Sequence, residues 1–266
     1  MKLLSWNVAG RVVKLDRQAA ALERQQPDLV CLQEIRPSTV ERWRAACAQM
    51  GLAHFAESSQ LMGRRRLLCA TASRWRLRAL PAVGAPYPER VASVVVETPA
   101  GELELHNAHV PPAPSNGLIK VETLEAIFYA LARPSDRHRI LCGDLNVPRL
   151  ETEQGEVITF ADNHPEQLRR WDRAERCLLT ELTEWDLRDC FRRVHGFERR
   201  DVSWVMNTRS VRKAGHRLDH ILASDGLGLI DCDYHHEWRD AGLSDHSAME
   251  AIFEPIALSA TQPSPS

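Results

Sequence analysis

Near the start of the chain, short unbroken apolar runs take turns with segments of helical periodicity. Lys2-Leu3-Leu4 and Asp28-Leu29-Val30-Cys31-Leu32 are continuous enough to be strands buried on both faces, the second running to Gln33. Between them Leu15, Ala19 and Leu22 recur at helical spacing within Leu15 to Gln25, and Pro27 closes that helix. Ser38 is placed to cap a second helix, with Glu41 where a capping box needs it and Gly51 to end it. Segments 52–57, 67–72, 75–80, 91–98 and 102–110 then read as strands. Their turns fall at Met62-Gly63, Pro86 to Pro88 and Pro99-Ala100-Gly101. Leu118, Val121, Leu124, Ile127, Phe128 and Leu131 stripe a helix over 117–132, and strand 138–142 follows.

The second half repeats this plan loosely. A helix is predicted over 166–184, then strands at Val202 to Asn207, Leu218 to Ala223 and 247–253, with no strict internal repeat. Ala257 to Ser266 is Pro- and Ser-rich with little to bury, so 257–266 is expected to be a disordered tail and 1–256 one domain. Two packed sheets with outer helices fit this alternation better than two domains.

Composition narrows the class. Hydrophobic residues make up 44% and charged residues 26%, as in a soluble protein with a sizeable core. No apolar run is long enough to cross a bilayer, and the polar Ser5-Trp6-Asn7 comes too early for a signal peptide, so no membrane and a cytoplasmic location are expected. Seven cysteines without a CxxC pair fit neither a disulfide framework nor a zinc site. A net charge of -2 argues against a broad basic coat for nucleic acid. Basic clusters do occur at Arg64-Arg65-Arg66, at Arg199-Arg200 and from Arg209 to Lys213, although such runs are usually solvated faces.

Five stretches place carboxylates, amides or imidazoles where apolar segments end: Ser5-Trp6-Asn7, Leu32-Gln33-Glu34, Gly143-Asp144-Leu145-Asn146, Arg217-Leu218-Asp219 and Ser244-Asp245-His246. Polar groups at strand ends converge readily on one cleft. Asn7, Glu34 and Asp245 are hard oxygen donors that suit magnesium or manganese, and such an ion is a Lewis acid for a phosphoryl oxygen. Asp144 would orient or deprotonate a water and Asn146 would donate to an oxygen. His246, supported by Asp219, would be cationic and able to bind or protonate a phosphate ester, with His109 a second phosphate contact. Singly, each has a bland reading: Asn7 as a turn cap before Gly10, Glu34 as the start of a solvated loop, His109 as a core histidine. The five together, in this order, are what carries the argument.

Trp6-Asn7, Gln33-Glu34, Gly143-Asp144-Leu145-Asn146, Arg217-Leu218-Asp219-His220 and Ser244-Asp245-His246 resemble the signature of the endonuclease/exonuclease/phosphatase superfamily, from Lys2 to about Ile252. Pro27 to Glu34 is most similar to the exonuclease III branch of apurinic/apyrimidinic endonucleases. The resemblance implies a four-layer αββα sandwich of two mixed sheets flanked by helices, with the site at one end. By it, Glu34 would hold magnesium with Asn7 and Asp245 in or near its shell. Asp144 would activate the attacking water or protonate the leaving oxygen. Asn146 and His246 would stabilise the pentacovalent phosphate, and Asp219 would orient His246. Trp204 resembles the aromatic lining the branch's sugar pocket, with a core-strand role as the alternative, while Arg149 and the Arg209 to Lys213 hairpin are phosphate-backbone candidates. Lys120, at a helix start near His109, could also meet a phosphate.

The chain departs from the branch at its recognition positions. His109-Val110-Pro111-Pro112 stands where the branch has a Tyr followed by Val-Pro-Asn, a form closer to the superfamily's phosphodiesterases and non-specific nucleases. Ile35-Arg36 follows Glu34 in place of a Thr and a Lys, and His216 and His220 stand where Trp and Tyr are usual. The expectation is a monomeric Mg2+-dependent (or Mn2+-dependent) phosphodiester hydrolase with DNA as substrate. A phosphatase or phosphodiesterase on a small-molecule, lipid or RNA phosphoester is the alternative, and a non-catalytic binding protein of the same fold comes third. A basic strip joining Arg149, Arg209 and Arg212 to the site would favour a polynucleotide, and a closed pocket a small ester.

Overall fold

A computed structural model of the chain describes residues 1–58, 67–112, 118–163, 168–206 and 215–254. The Arg64 to Arg66 and Arg209 to Lys213 clusters and the 257–266 tail lie outside the described residues. In chain order the elements are β1 Lys2–Asn7, α1 Leu15–Arg24, β2 Leu29–Ile35, α2 Val40–Gln49, β3 His54–Glu57, β4 Leu68–Ser73, β5 Leu77–Ala79, β6 Val91–Thr98 and β7 Gly101–His109. There follow α3 Ile119–Leu131, β8 His138–Asp144, β9 Leu150–Glu151, β10 Val157–Ile158, α4 Leu168–Thr180, β11 Arg188–Asp189 and α5 Cys190–His195. β12 Trp204–Val205, β13 Gly215–His216, β14 Asp219–Ala223, β15 Leu229–His235, α6 His236–Asp240 and β16 Ala248–Phe253 complete the series.

Two six-stranded sheets form the centre, in the orders β15-β16-β1-β2-β4-β3 and β11-β14-β8-β7-β6-β5. Both are mixed: β1 and β2 run parallel, as do β7 and β8, and the remaining neighbours within the two sheets are antiparallel. Successive strand residues face opposite sides, and here both sides are covered. Leu3, Leu29, Cys31, Ile140 and Cys142 pack between the sheets with Leu105, Ile221 and Met249. Their neighbours Leu4, Val30 and Leu32 instead meet Leu15, Leu22, Val40 and Trp43 of α1 and α2. Across the molecule Leu141, Ala108 and Leu222 meet Val121, Leu124, Trp171 and Leu178 of α3 and α4. The result is a four-layer αββα arrangement, and double-sided burial is why these strands are continuous apolar runs.

Most elements lie within a few residues of the sequence pattern, with instructive differences. Ser38 is not the cap of α2: Pro37–Thr39 forms a 3-10 turn, the helix begins at Val40, and no side-chain cap bond is made, because the Thr39 hydroxyl turns back to Arg36 O at 2.9 Å. The 166–184 helix is α-helical only to Thr180 and tightens to a 3-10 turn over Glu181–Trp185. Of the 202–207 strand, Trp204–Val205 forms β12 and Asn207 lies outside the described residues, and β15, an edge strand, was not anticipated by the pattern. Its exposed Asp231 and half-exposed Asp233, flanking Cys232, read as loop chemistry. All seven cysteines are buried and free. No described helix is long and apolar enough to cross a membrane.

A buried ion network ties the second sheet to the chain around it. Arg217 makes a bidentate contact with Glu151 at 2.7 and 2.8 Å and reaches Asp189 at 2.8 Å, while Arg192 meets Glu151 at 2.6 Å and His220 meets Asp189 at 3.1 Å. One close approach is equally fixed. Gly143 in β8 has φ +131, and a Cβ there would stand 1.9 Å from Ala108 O of β7. Gly143→Ala is therefore expected to destabilise the fold by about 3 kcal/mol or more; an unfolding midpoint in urea within error of the unsubstituted protein would contradict it.

Candidate active site

The same face alternation that builds the core carries polar groups to one end of it. Asn7 follows Leu3 along β1, His109 follows Leu105 along β7, Asp144 follows Cys142 along β8 and Asp219 precedes Ile221 on β14, so all four continue the inter-sheet face. Register sets three of them side by side, with His109 paired to Asp144 and Asp144 to Asp219. Glu34 is the exception by parity, since it alternates with Leu32 on the helix side. The pairing of β2 with β4 shifts between Leu32 and Ile35, and Glu34 adopts φ +58, a conformation a non-glycine residue adopts only under constraint. That irregularity turns its carboxylate to within 3.3 Å of Asn7 Nδ2 and 3.4 Å of His109 Nε2.

Asp144 lies at the centre and is almost wholly buried. Its Oδ1 accepts from the Asn146 amide at 3.1 Å, and its Oδ2 accepts from Asn7 Nδ2 at 2.9 Å. Oδ2 also faces His109 Nε2 at 3.7 Å and His246 Nε2 at 3.8 Å. His246 Nδ1 is held by Asp219 Oδ2 at 2.8 Å, which leaves Nε2 directed towards Asp144. The His246 segment is fastened on several sides: Trp6 Nε1 donates to His246 O at 3.1 Å, Ser244 Oγ donates to Asn7 O at 2.6 Å, and Ser247 N donates to Ser203 O at 2.8 Å.

Burial and proximity move the titrations apart. Burial opposes charge on His246, but Asp219 and Asp144 outweigh it and raise the imidazolium to about 10. Asp144 is pushed up to about 7 by burial and by Asp219 and Glu34, against the opposing pull of His246 and the Asn7 amide. His109 moves the other way: burial, then Arg90 and His246, hold it well below the ordinary histidine range, so it is neutral. Arg90 Nη1 stands 3.1 and 3.2 Å from the two His109 ring nitrogens, a neighbour not recognised from the sequence.

These residues line a cavity of about 480 Å³. Its polar wall includes Glu34, His109, Lys120, Asp144, Asp245 and His246, and its apolar wall includes Pro112, Phe160, Trp204, Met206 and Leu218. Trp204 is half-buried and stacks at 9° on His216, whose other edge meets Phe160. Phe160 and Met206 were not recognised as site residues, because in the sequence they sit among loop residues with no distinguishing spacing, and His216 was noted only as a departure from the branch pattern. Arg149 is not among the residues that line the cavity: its half-exposed guanidinium pairs with Asp162 at 3.7 Å, although its carbonyl meets His216 Nδ1. The Arg199-Arg200 pair is engaged by Asp233, Asp201 and Glu153.

A model of the Endonuclease/Exonuclease/phosphatase family matches residues 4–246. The chain belongs to this family. It is 25% identical over 245 residues to exodeoxyribonuclease III of Haemophilus influenzae, covering 85% of this chain and 89% of that protein. Among solved structures it is similar to an AP endonuclease from Archaeoglobus fulgidus, with a TM-score of 0.74 at 21% identity over 96% of this chain and 100% of that one. A 3′-5′ exonuclease from Neisseria meningitidis superposes with a TM-score of 0.68 at 23% identity, over 96% and 100% of the two chains. As a member of this family the protein is a phosphoester-hydrolysing enzyme.

The donor set suits the divalent cation on which the family typically depends. Oxygens of Glu34 and Asp144 and a nitrogen of His109 lie within 4.8 Å of one another, and Asp245 Oδ1 is buried in the same region without a hydrogen-bond partner among the described residues. Carboxylate charges set this close together are offset by a hard cation. Asn7 Oδ1 accepts from the Ala9 amide at 2.9 Å and Asn7 Nδ2 faces the two carboxylates, so in this arrangement Asn7 orients Glu34 and Asp144. Asn146 likewise spends its Nδ2 on Val110 O at 2.8 Å.

Because His246 titrates higher in the folded chain than its ordinary 6.5, its pairing with Asp219 stabilises the fold fully below about pH 6.5 and fades as pH rises towards about 10. The stability lost in Asp219→Asn should accordingly be larger at pH 6 than at pH 10. Denaturant midpoints giving the same loss at both would show that His246 is not held as an imidazolium by Asp219.

Proposed function

We propose that the protein is a Mg2+-dependent nuclease of the exonuclease III and AP endonuclease type that hydrolyses phosphodiester bonds in DNA. The observation that carries this reading is the placement of Asp144 Oδ2 among Asn7, His109 and His246 while Oδ1 is fixed by the Asn146 amide. Glu34 and Asp245, with Asp144 adjacent, are the residues that would hold the cation. When bound it supplies Lewis-acid charge to a phosphoryl oxygen and, in this family's chemistry, neutralises the crowded carboxylates.

The protein groups divide the remaining work. Asp144 Oδ2, with a pKa near neutrality, takes the proton of the attacking water, and Asn7 keeps that oxygen turned to the cavity. His246, cationic and held by Asp219, presents Nε2–H to a non-bridging or leaving oxygen as charge develops there. Neutral His109 adds a second ring nitrogen on the same side. Phe160, Trp204 and Leu218 exclude water and pack against the sugar of one nucleotide unit, the size the cavity suits. The cavity's apolar wall favours a second reading, a small phosphoester as the substrate, since Arg149 pairs with Asp162 and does not line the cavity.

Asp144→Asn is expected to lower kcat by about 10³-fold, within the range general acid–base groups contribute, while far-ultraviolet circular dichroism is unchanged. A folded variant retaining most of its turnover removes Asp144 from the mechanism. The substrate is decided by comparing a duplex with one abasic site, an undamaged duplex, a single strand and bis-p-nitrophenyl phosphate, each with Mg2+ and again after chelation with EDTA. Metal-dependent cleavage of one or more DNA substrates is the expected outcome. Turnover of the small ester alone would replace the nuclease reading, and turnover that survives chelation would exclude the metal.

A further inference from the structure

The aromatic side of the cavity holds one group that apolar packing does not explain. His216 of β13 is paired with Trp204 of β12, and Trp204 forms a further antiparallel bridge with His246, so the two histidines flank Trp204. Directly paired residues present their side chains on one face, and neighbouring strands lie about 5 Å apart, which puts the backbones of His216 and His246 roughly 10 Å apart. Both line the cavity, and the space between them takes in the phosphate and the sugar of one nucleotide.

The His216 ring is fixed from three sides. Trp204 stacks on it at 9° with centroids 6.1 Å apart, Phe160 meets it at 74°, and its Nδ1 lies 2.8 Å from Arg149 O. A carbonyl oxygen only accepts, so Nδ1 carries a proton, and in the uncharged ring Nε2 keeps its lone pair. Nε2 has no hydrogen-bond partner among the described residues. Arg149 does not line the cavity and His216 does, so Nε2 is the ring nitrogen left for what enters. A ligand that displaces water from such an acceptor without donating to it leaves it unpaired. The donor that a nucleotide's sugar offers is a hydroxyl. In DNA it is the 3′-hydroxyl of a terminal nucleotide or the C1′ hydroxyl of an abasic residue.

We infer that His216 is a specificity-determining residue whose Nε2 accepts a hydrogen bond from a hydroxyl of the sugar held in the cavity; this rests on the nuclease reading of the same site. Trp, which is usual at this position in the exonuclease III branch, carries an N–H and no lone pair with which to accept. The preference therefore comes from His216 and not from the apolar wall around it. Proton transfer stays with Asp144 and His246.

Two pairs of duplexes test this, each differing by one hydroxyl. One sets a 3′-terminal deoxynucleotide against its dideoxy counterpart, and the other an abasic residue against its tetrahydrofuran analogue, which lacks the C1′ hydroxyl. The protein is expected to favour the hydroxyl-bearing member of at least one pair by about 10-fold or more in kcat/KM, and the pair that discriminates names the hydroxyl. His216→Phe keeps the stack on Trp204 without Nε2 and should bring that ratio to within about twofold, whereas damage to the fold would lower both members together and leave the ratio in place. Ratios near one for both pairs in the unsubstituted protein overturn the inference, and so does a preference that survives His216→Phe. Should His216→Phe not fold, His216→Asn, which keeps a donor near the position of Nδ1 and lacks Nε2, takes its place. An unsubstituted protein that cleaves no DNA overturns the nuclease reading, and calorimetry then decides His216. Equal Kd values for thymidine 5′-monophosphate and its 3′-deoxy form, and for 2-deoxyribose 5-phosphate and its 1,2-dideoxy form, overturn the inference, and tighter binding of a hydroxyl-bearing member that is lost in the variant upholds it.

Discussion

Both sheets are covered on both faces, and that constraint governs where chemistry can occur. A strand residue in the middle of either sheet mostly meets apolar side chains, so a charged group there needs a partner of its own, as Glu104 of β7 finds in His106 and Arg133. At the strand ends that restriction is relaxed. Asn7, Glu34, His109 and Asp144 close four strands that run towards one end of the sandwich, while Asp219 and His246 lie where antiparallel strands begin at that same end.

At that end the groups are still largely buried, so each charge has been set against another. Against the burial that would strip it, His246 keeps its proton because two carboxylates face it, whereas burial, with an arginine and that imidazolium alongside, takes the proton from His109. Two histidines a few ångströms from one aspartate thus carry different charges for reasons that lie in their neighbours. The distinction suits phosphate chemistry, in which a cationic group can offset developing negative charge while a neutral imidazole can hydrogen-bond or serve as a ligand.

Much of this was legible in the sequence because it is local. The runs at Leu3-Leu4 and Leu29 to Leu32 announce double-sided burial, Val91 to Thr98 coincides with β6, and the polar stretch closing each run names its site residue. What was hidden depends on pairing between distant segments. Nothing near Arg217 says that its partners are Glu151 and Asp189, and nothing near His109 points to Arg90. Nothing near Asn7 says that its Nδ2 meets Glu34 and Asp144. The Ser38 capping signal is a real local preference, displaced because Pro37 starts a tighter turn before α2. Trp204 could be read as core or as pocket, and its half-buried place beside His216 partakes of both.

β1 is paired on one side with β2, its near neighbour in the chain, and on the other with β16, some 240 residues later. The loop that carries His246 is anchored to Trp6 and Asn7, so the two ends of the catalytic row are separated by almost the full length of sequence. Chains are made from the N-terminus, and a long-range pairing cannot form before its later partner exists. A nascent chain can display Glu34 and Asp144 for some time, yet it has no imidazolium opposite them until residue 246 has been made. Assembly of the site therefore waits on the last strand of the first sheet, and hydrolytic capacity arrives together with the closing of that sheet.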